Sequence, residues 1–78
     1  MPEQFDVELN LKGLPCPLPI VKAGKGIKEV PIGGVLKCIA TDPGAVADFA
    51  AWAKTTGNEL VKSETNGNEL IFYIKRLK

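Results

Sequence analysis

Phe5-Asp6-Val7-Glu8-Leu9-Asn10-Leu11-Lys12 alternates apolar and polar side chains at every step, and a period of two belongs to a β-strand with one buried face. Gly13-Leu14-Pro15-Cys16-Pro17-Leu18-Pro19 then stops the alternation. Pro17 and Pro19 suit a first helical turn, where a missing N–H has no intrahelical partner to lose. A strand running directly into a helix that begins at Cys16 is therefore predicted. Along that helix Ile20, Ala23, Gly24 and Ile27 recur at i, i+3, i+4 and i+7 as an inward stripe, with Lys22, Lys25 and Lys28 outside. Gly24 and Gly26 each weaken it by roughly 1 kcal/mol relative to Ala. Close packing against a sheet is expected to compensate.

Outward from this unit, Pro31-Ile32-Gly33-Gly34 reads as a turn, and Val35 to Thr41 as a second strand with Leu36, Cys38 and Ala40 on its core face. Asp42-Pro43 is a helix-start signal, the Asp capping an orphan N–H and the Pro fitting the first helical position. The second helix is predicted from Pro43 to about Thr56, with Val46, Phe49, Ala50 and Ala53 on one face and Gly57 or Asn58 ending it in a left-handed conformation. Strands at about Glu59–Thr65 and Asn68–Lys75 flank Asn66-Gly67, which predicts a type I′ hairpin with positive φ at both central residues. The order βαβαββ implies an α/β fold of the α+β type. It is a two-layer sandwich with a mixed four-stranded sheet and both helices on one face, because β-α-β crossovers are right-handed. The other face is expected to be polar, open to solvent or a partner.

The chain has 78 residues, enough for one domain spanning 1–78. Ten Lys and Arg against nine Asp and Glu give a net charge of +1, too balanced to advertise nucleic acid or an anionic membrane. No apolar run approaches the roughly 20 residues of a membrane span, and no signal-peptide pattern opens the chain. Two cysteines are too few for a disulfide-dependent secreted scaffold, so a cytoplasmic protein is expected. Histidine is absent, which removes the commonest general base and metal ligand.

The chemistry concentrates on Cys16. As the expected N-cap at a strand-to-helix junction it sits where backbone dipoles favour a thiolate, the reactive form of the thiol. Pro17 and Pro19 delete two donors there, so the remaining amides and the nearby Lys22 must supply the stabilisation. A buried, inert cysteine is the alternative for such a residue, but a position between prolines at a loop tip favours exposure. Cys38, sharing a face with Leu36 and Ala40, reads as a core cysteine rather than a resolving thiol. Lys22, Lys25 and Lys28 form either a solvated face or a basic docking surface beside Cys16. Gly33-Gly34 lacks the context of a phosphate loop, and two cysteines without other soft ligands cannot close a zinc site.

Leu9-Asn10-Leu11-Lys12-Gly13-Leu14-Pro15-Cys16-Pro17-Leu18-Pro19, with Lys22 following, resembles the opening signature of the TusA/SirA-like sulfur carriers and their CPxP motif. Thr41-Asp42-Pro43-Gly44-Ala45, Trp52 and Gly57-Asn58-Glu59-Leu60 resemble the family's second helix and return strand, so the likeness runs from about Phe5 to Lys75. The resemblance implies a βαβαββ sandwich and a transient persulfide on Cys16. It implies no bound cofactor or metal, and Gly13, Pro17, Pro19 and Lys22 as supporting motif residues. It also implies donor and acceptor proteins of a sulfur relay as partners, with the protein a stoichiometric carrier and a monomer when free. Asn10 stands where many members have Asp. A redox-sensing thiol, or a regulatory module that touches RNA, are the rival readings; the absence of a neighbouring resolving thiol and the near-neutral charge weigh against them.

Overall fold

The computed structural model describes residues 5–15 and 18–78. Along the chain lie β1 (Val7–Leu11), α1 (Leu18–Gly26), a 3-10 turn (Ile27–Glu29), β2 (Val35–Ala40), α2 (Ala45–Thr56), β3 (Glu59–Asn66) and β4 (Glu69–Lys75). The strands form one mixed sheet in the order β1-β2-β4-β3. β1 runs parallel to β2, and the other two pairings are antiparallel. This is the two-layer α+β sandwich that the alternation and the two Pro-marked helix starts imply.

Register explains the core. Leu9 lies opposite Cys38 and Leu11 opposite Ala40, while Cys38 and Leu36 face Phe72 and Ile74 across the other ladder. These rows share one face, and Ala23, Ile27, Ala45 and Phe49 from the helical layer close over it. Phe49 stacks on Phe72 at 4.4 Å and 16°, and half-buried Trp52 meets Phe49 edge-on at 6.0 Å. β1 is shorter than Phe5–Lys12 because polar side chains engage the backbone at its ends. Asp6 Oδ2 accepts the Val35 N–H at 2.8 Å, and Asn10 Oδ1 accepts the Lys12 N–H at 3.1 Å.

Four local expectations change. The buried stripe of α2 is Ala45, Phe49 and Ala53, whereas Val46 and Ala50 are exposed. Pro43-Gly44 forms a turn, so the helix starts two residues later and small Ala45 takes the sheet-facing position. In α1, Ile20 and Gly24 are only half-buried, and close approach occurs at Gly26 instead. The hairpin loop is Gly67-Asn68, closed by the Asn66–Glu69 pair, and only Gly67 has positive φ, at +65°. Those signs fit a type II′ turn, which puts Gly first. Finally, the face away from the helices is not uniformly polar. Tyr73 is buried there among half-buried Ile39 and Ile71, and Lys37 lies 5.0 Å from the Phe5 ring and 3.4 Å from Glu8.

Candidate functional site

Because β1 and β2 are parallel and each is followed by a helix, both crossover loops emerge at the same end of the sheet. The carboxyl ends of parallel strands are where α/β folds gather their chemistry. The loop Lys12-Gly13-Leu14-Pro15 leads there from β1. Gly13 adopts φ +82°, a region that favours glycine, and its N–H donates to Thr41 Oγ1 at 2.9 Å. Leu14 donates to Leu11 O at 3.3 Å and leans on the core, and Leu18 donates to Pro15 O at 2.9 Å to start α1. From the second crossover, Asp42 Oδ1 accepts the Gly44 N–H at 2.9 Å and its carbonyl accepts the Ala45 N–H at 2.9 Å. Asp42 thus closes the turn ahead of α2 instead of capping an orphan helical N–H as the sequence predicts, because the N-cap position falls on Gly44 and Pro43 lies in the turn before it.

Cys16 and Pro17 lie outside the described residues, and so does the expected helix start at Cys16 with its N-cap role. Of the other motif residues, Gly13 shapes the loop, Pro19 is fully buried, and Lys22 is exposed on α1 with Lys25, followed by exposed Lys28 in the 3-10 turn. None of these three lysines takes part in an ion pair among the described residues, whereas the open face neutralises itself through Lys12–Glu69, Lys37–Glu8 and Lys62–Glu64. Asn10 pairs with Ile39 in register, on the face opposite the helices, where its side chain holds the exit of β1. Thr41 is a contributor that the sequence alone does not single out. The available signal is a hydroxyl residue directly after β2 and before the Asp42-Pro43 turn.

Cys38 is 0% exposed on the core face of β2, and burial pushes its thiol up to about 12. It stays protonated at neutral pH and is shielded from reagents. Among the described residues no cluster of acidic or cysteine side chains could hold a metal ion, no cavity is present, and no helix is long and apolar enough to cross a membrane.

The sequence profile of the family described as sulfurtransferase TusA matches residues 7–76. The chain belongs to the TusA family. The sulfur carrier protein TusA of Allochromatium vinosum is 53% identical over 92% of this chain and 95% of its own length. A putative sulfur carrier protein of Bacillus subtilis, YrkF, is 44% identical over 90% of this chain, which corresponds to 38% of that longer protein. In three dimensions the chain is similar to a SirA-like protein from Desulfitobacterium hafniense, with a TM-score of 0.80 over 94% of this chain and 100% of the other, at 19% identity. That likeness concerns the fold. The sequence relatives carry the TusA assignment, and they are sulfur carriers by name.

Proposed function

We propose that this TusA-family protein is a stoichiometric sulfur-relay carrier of the cytoplasm that holds sulfane sulfur as a persulfide on Cys16. It takes the sulfur from a desulfurase- or rhodanese-like donor and gives it to an acceptor protein. The supporting observation is the contrast between its two cysteines: Cys38 is sealed in the core with its thiol pushed up to about 12, so sulfur exchanged between proteins has Cys16 as its remaining thiol. In the loading step the Cys16 thiolate attacks the outer sulfur of a donor persulfide, the donor S–S bond breaks, and the donor thiolate leaves. Delivery is the same displacement, with the acceptor nucleophile attacking the outer sulfur and the Cys16 thiolate leaving. One S–S bond forms as one breaks, so loading needs no external oxidant. The exposed lysines of α1 act on the rate of encounter with acidic partners.

Incubation with a persulfide donor followed by mass spectrometry of digested protein is expected to show one added sulfur on the Cys16 peptide, removable by a thiol reductant. Cys16→Ser should abolish it, and Cys38→Ala should retain it. Loss of loading in Cys38→Ala, with Cys16 present, would instead favour a redox cycle between the two thiols.

A further inference from the structure

Between Gly13 and Pro19 three residues are prolines without an N–H, and the donors among the described residues are those of Gly13, Leu14 and Leu18. Leu18 bonds within the segment, to Pro15 O, and Leu14 turns back to Leu11 O at the end of β1, the strand the segment leaves. Among the described residues the Gly13 N–H is the donor that reaches past β1, to Thr41 Oγ1 at 2.9 Å. Thr41 follows directly on Ala40, the end of β2, which is held between β1 and β4 through Leu11 and Leu70. The anchor is therefore a side chain one residue beyond a central, doubly paired strand, and the anchored group is the turn at φ +82° from which the chain proceeds through Leu14 and Pro15 to Cys16.

We propose that Thr41 is a positioning residue whose hydroxyl fixes the loop leading into Cys16 and thereby sets the reactivity of that thiol. The inference rests on the reading of Cys16 as the sulfur-bearing residue. A neutral hydrogen bond makes a modest net contribution, but here it fixes the path of a segment that has few other donors. Reactions that depend on the placement of one atom are sensitive to small displacements of its support. Without the anchor the loop gains freedom, which weakens the thiolate stabilisation that the sequence predicts for a cysteine at a helix start.

The test uses the full chain as parent, Thr41→Val, which keeps the β-branched shape without the hydroxyl, and Thr41→Ser, which keeps the hydroxyl. Iodoacetamide alkylation is followed across pH, reporting on Cys16 because Cys38 is buried. Thr41→Val is expected to slow alkylation at neutral pH and persulfide loading by about three- to tenfold, with the alkylation profile displaced to higher pH and Thr41→Ser close to parent. Unchanged profiles in Thr41→Val, or a Thr41→Ser that behaves like Val, would overturn the proposal. Should Thr41→Val not fold, hydrogen exchange in the parent decides: a Gly13 amide protected like that of Leu14 supports the anchor, and one exchanging freely sinks it. If the parent takes no sulfur while alkylation still separates Val from Ser, the carrier reading fails and the anchor stands. If the parent loads sulfur and alkylation separates none of them, the anchor alone fails.

Discussion

Ionising Cys38 would place a thiolate in contact with Leu9 and Phe72 in a core with no charged side chain among its described members. That desolvation raises its thiol from an ordinary 9.0 to about 12, so the folded state holds a proton that the unfolded chain releases from about pH 9 upward. Below pH 9 both states are protonated and the group is neutral in the balance. Above it the unfolded state binds fewer protons, and stability falls with rising pH by up to about 1.4 kcal/mol per unit until the folded thiol itself ionises. Chemical denaturation at stepped pH is therefore expected to show a steeper alkaline decline for the parent than for Cys38→Ala, although the Ala variant starts less stable. Parallel declines would mean that Cys38 is not dry. The alternation Leu36, Cys38, Ala40 made this burial legible in the sequence, because period-two placement fixes a face whatever the neighbouring strands turn out to be.

Glycines show where reading by periodicity stops at the level of a single element. Gly24 and Gly26 look alike in sequence, both interrupting α1. A Cβ on Gly24 meets nothing within 4 Å, whereas one on Gly26 would come 2.6 Å from Leu9 Cδ1. Gly24→Ala is thus expected to stabilise the protein by roughly 0.5–1 kcal/mol through helix propensity and a less free unfolded chain. Gly26→Ala must displace Leu9 in the core, which offsets that gain, so it should be neutral to destabilising by about 1 kcal/mol. Thermal melts of the two variants side by side check this, and equal shifts would sink it. Periodicity does not show the difference, because it depends on how deeply β1 seats beneath α1. The phase of α2 was hidden for the same kind of reason: Val46 is the more apolar choice, but the turn at Pro43-Gly44 sets which residue first meets the sheet. The hairpin's position was legible from Asn66-Gly67, while its type was not, since a one-residue shift of the loop to Gly67-Asn68 moves the single positive φ to the first central residue. At the candidate site the loop and its helix were legible from the prolines. Its tie to Thr41 was not, because it joins residues 28 positions apart.

Across the whole molecule the sheet separates two ends with different work. The crossover loops and the path into Cys16 occupy the carboxyl ends of β1 and β2. At the other end Val35 pairs with Lys75, roughly 17–20 Å away along six residues of strand. That far end is fastened by Arg76, whose guanidinium donates to Val30 O at 2.8 Å, Lys28 O at 3.3 Å and Lys78 O at 2.7 Å. Its backbone also exchanges hydrogen bonds with Gly33 and Gly34. One side chain thus satisfies carbonyls at the close of the 3-10 turn and at the C-terminus. Arg76→Ala leaves those acceptors without their charged donor, at a cost of roughly 1.5–3 kcal/mol. In a domain of this size each kcal/mol lowers Tm by roughly 4–8 °C. Since mutational effects on independent, distant sites add, the alkylation rate of Cys16 and its sulfur loading should match the parent at temperatures where both are folded. A variant that kept its Tm would show the clamp to be solvent-equivalent. One that lost Cys16 reactivity while folded would show that the two ends are coupled through β2, and that the chemistry of the loop depends on the whole length of the sheet.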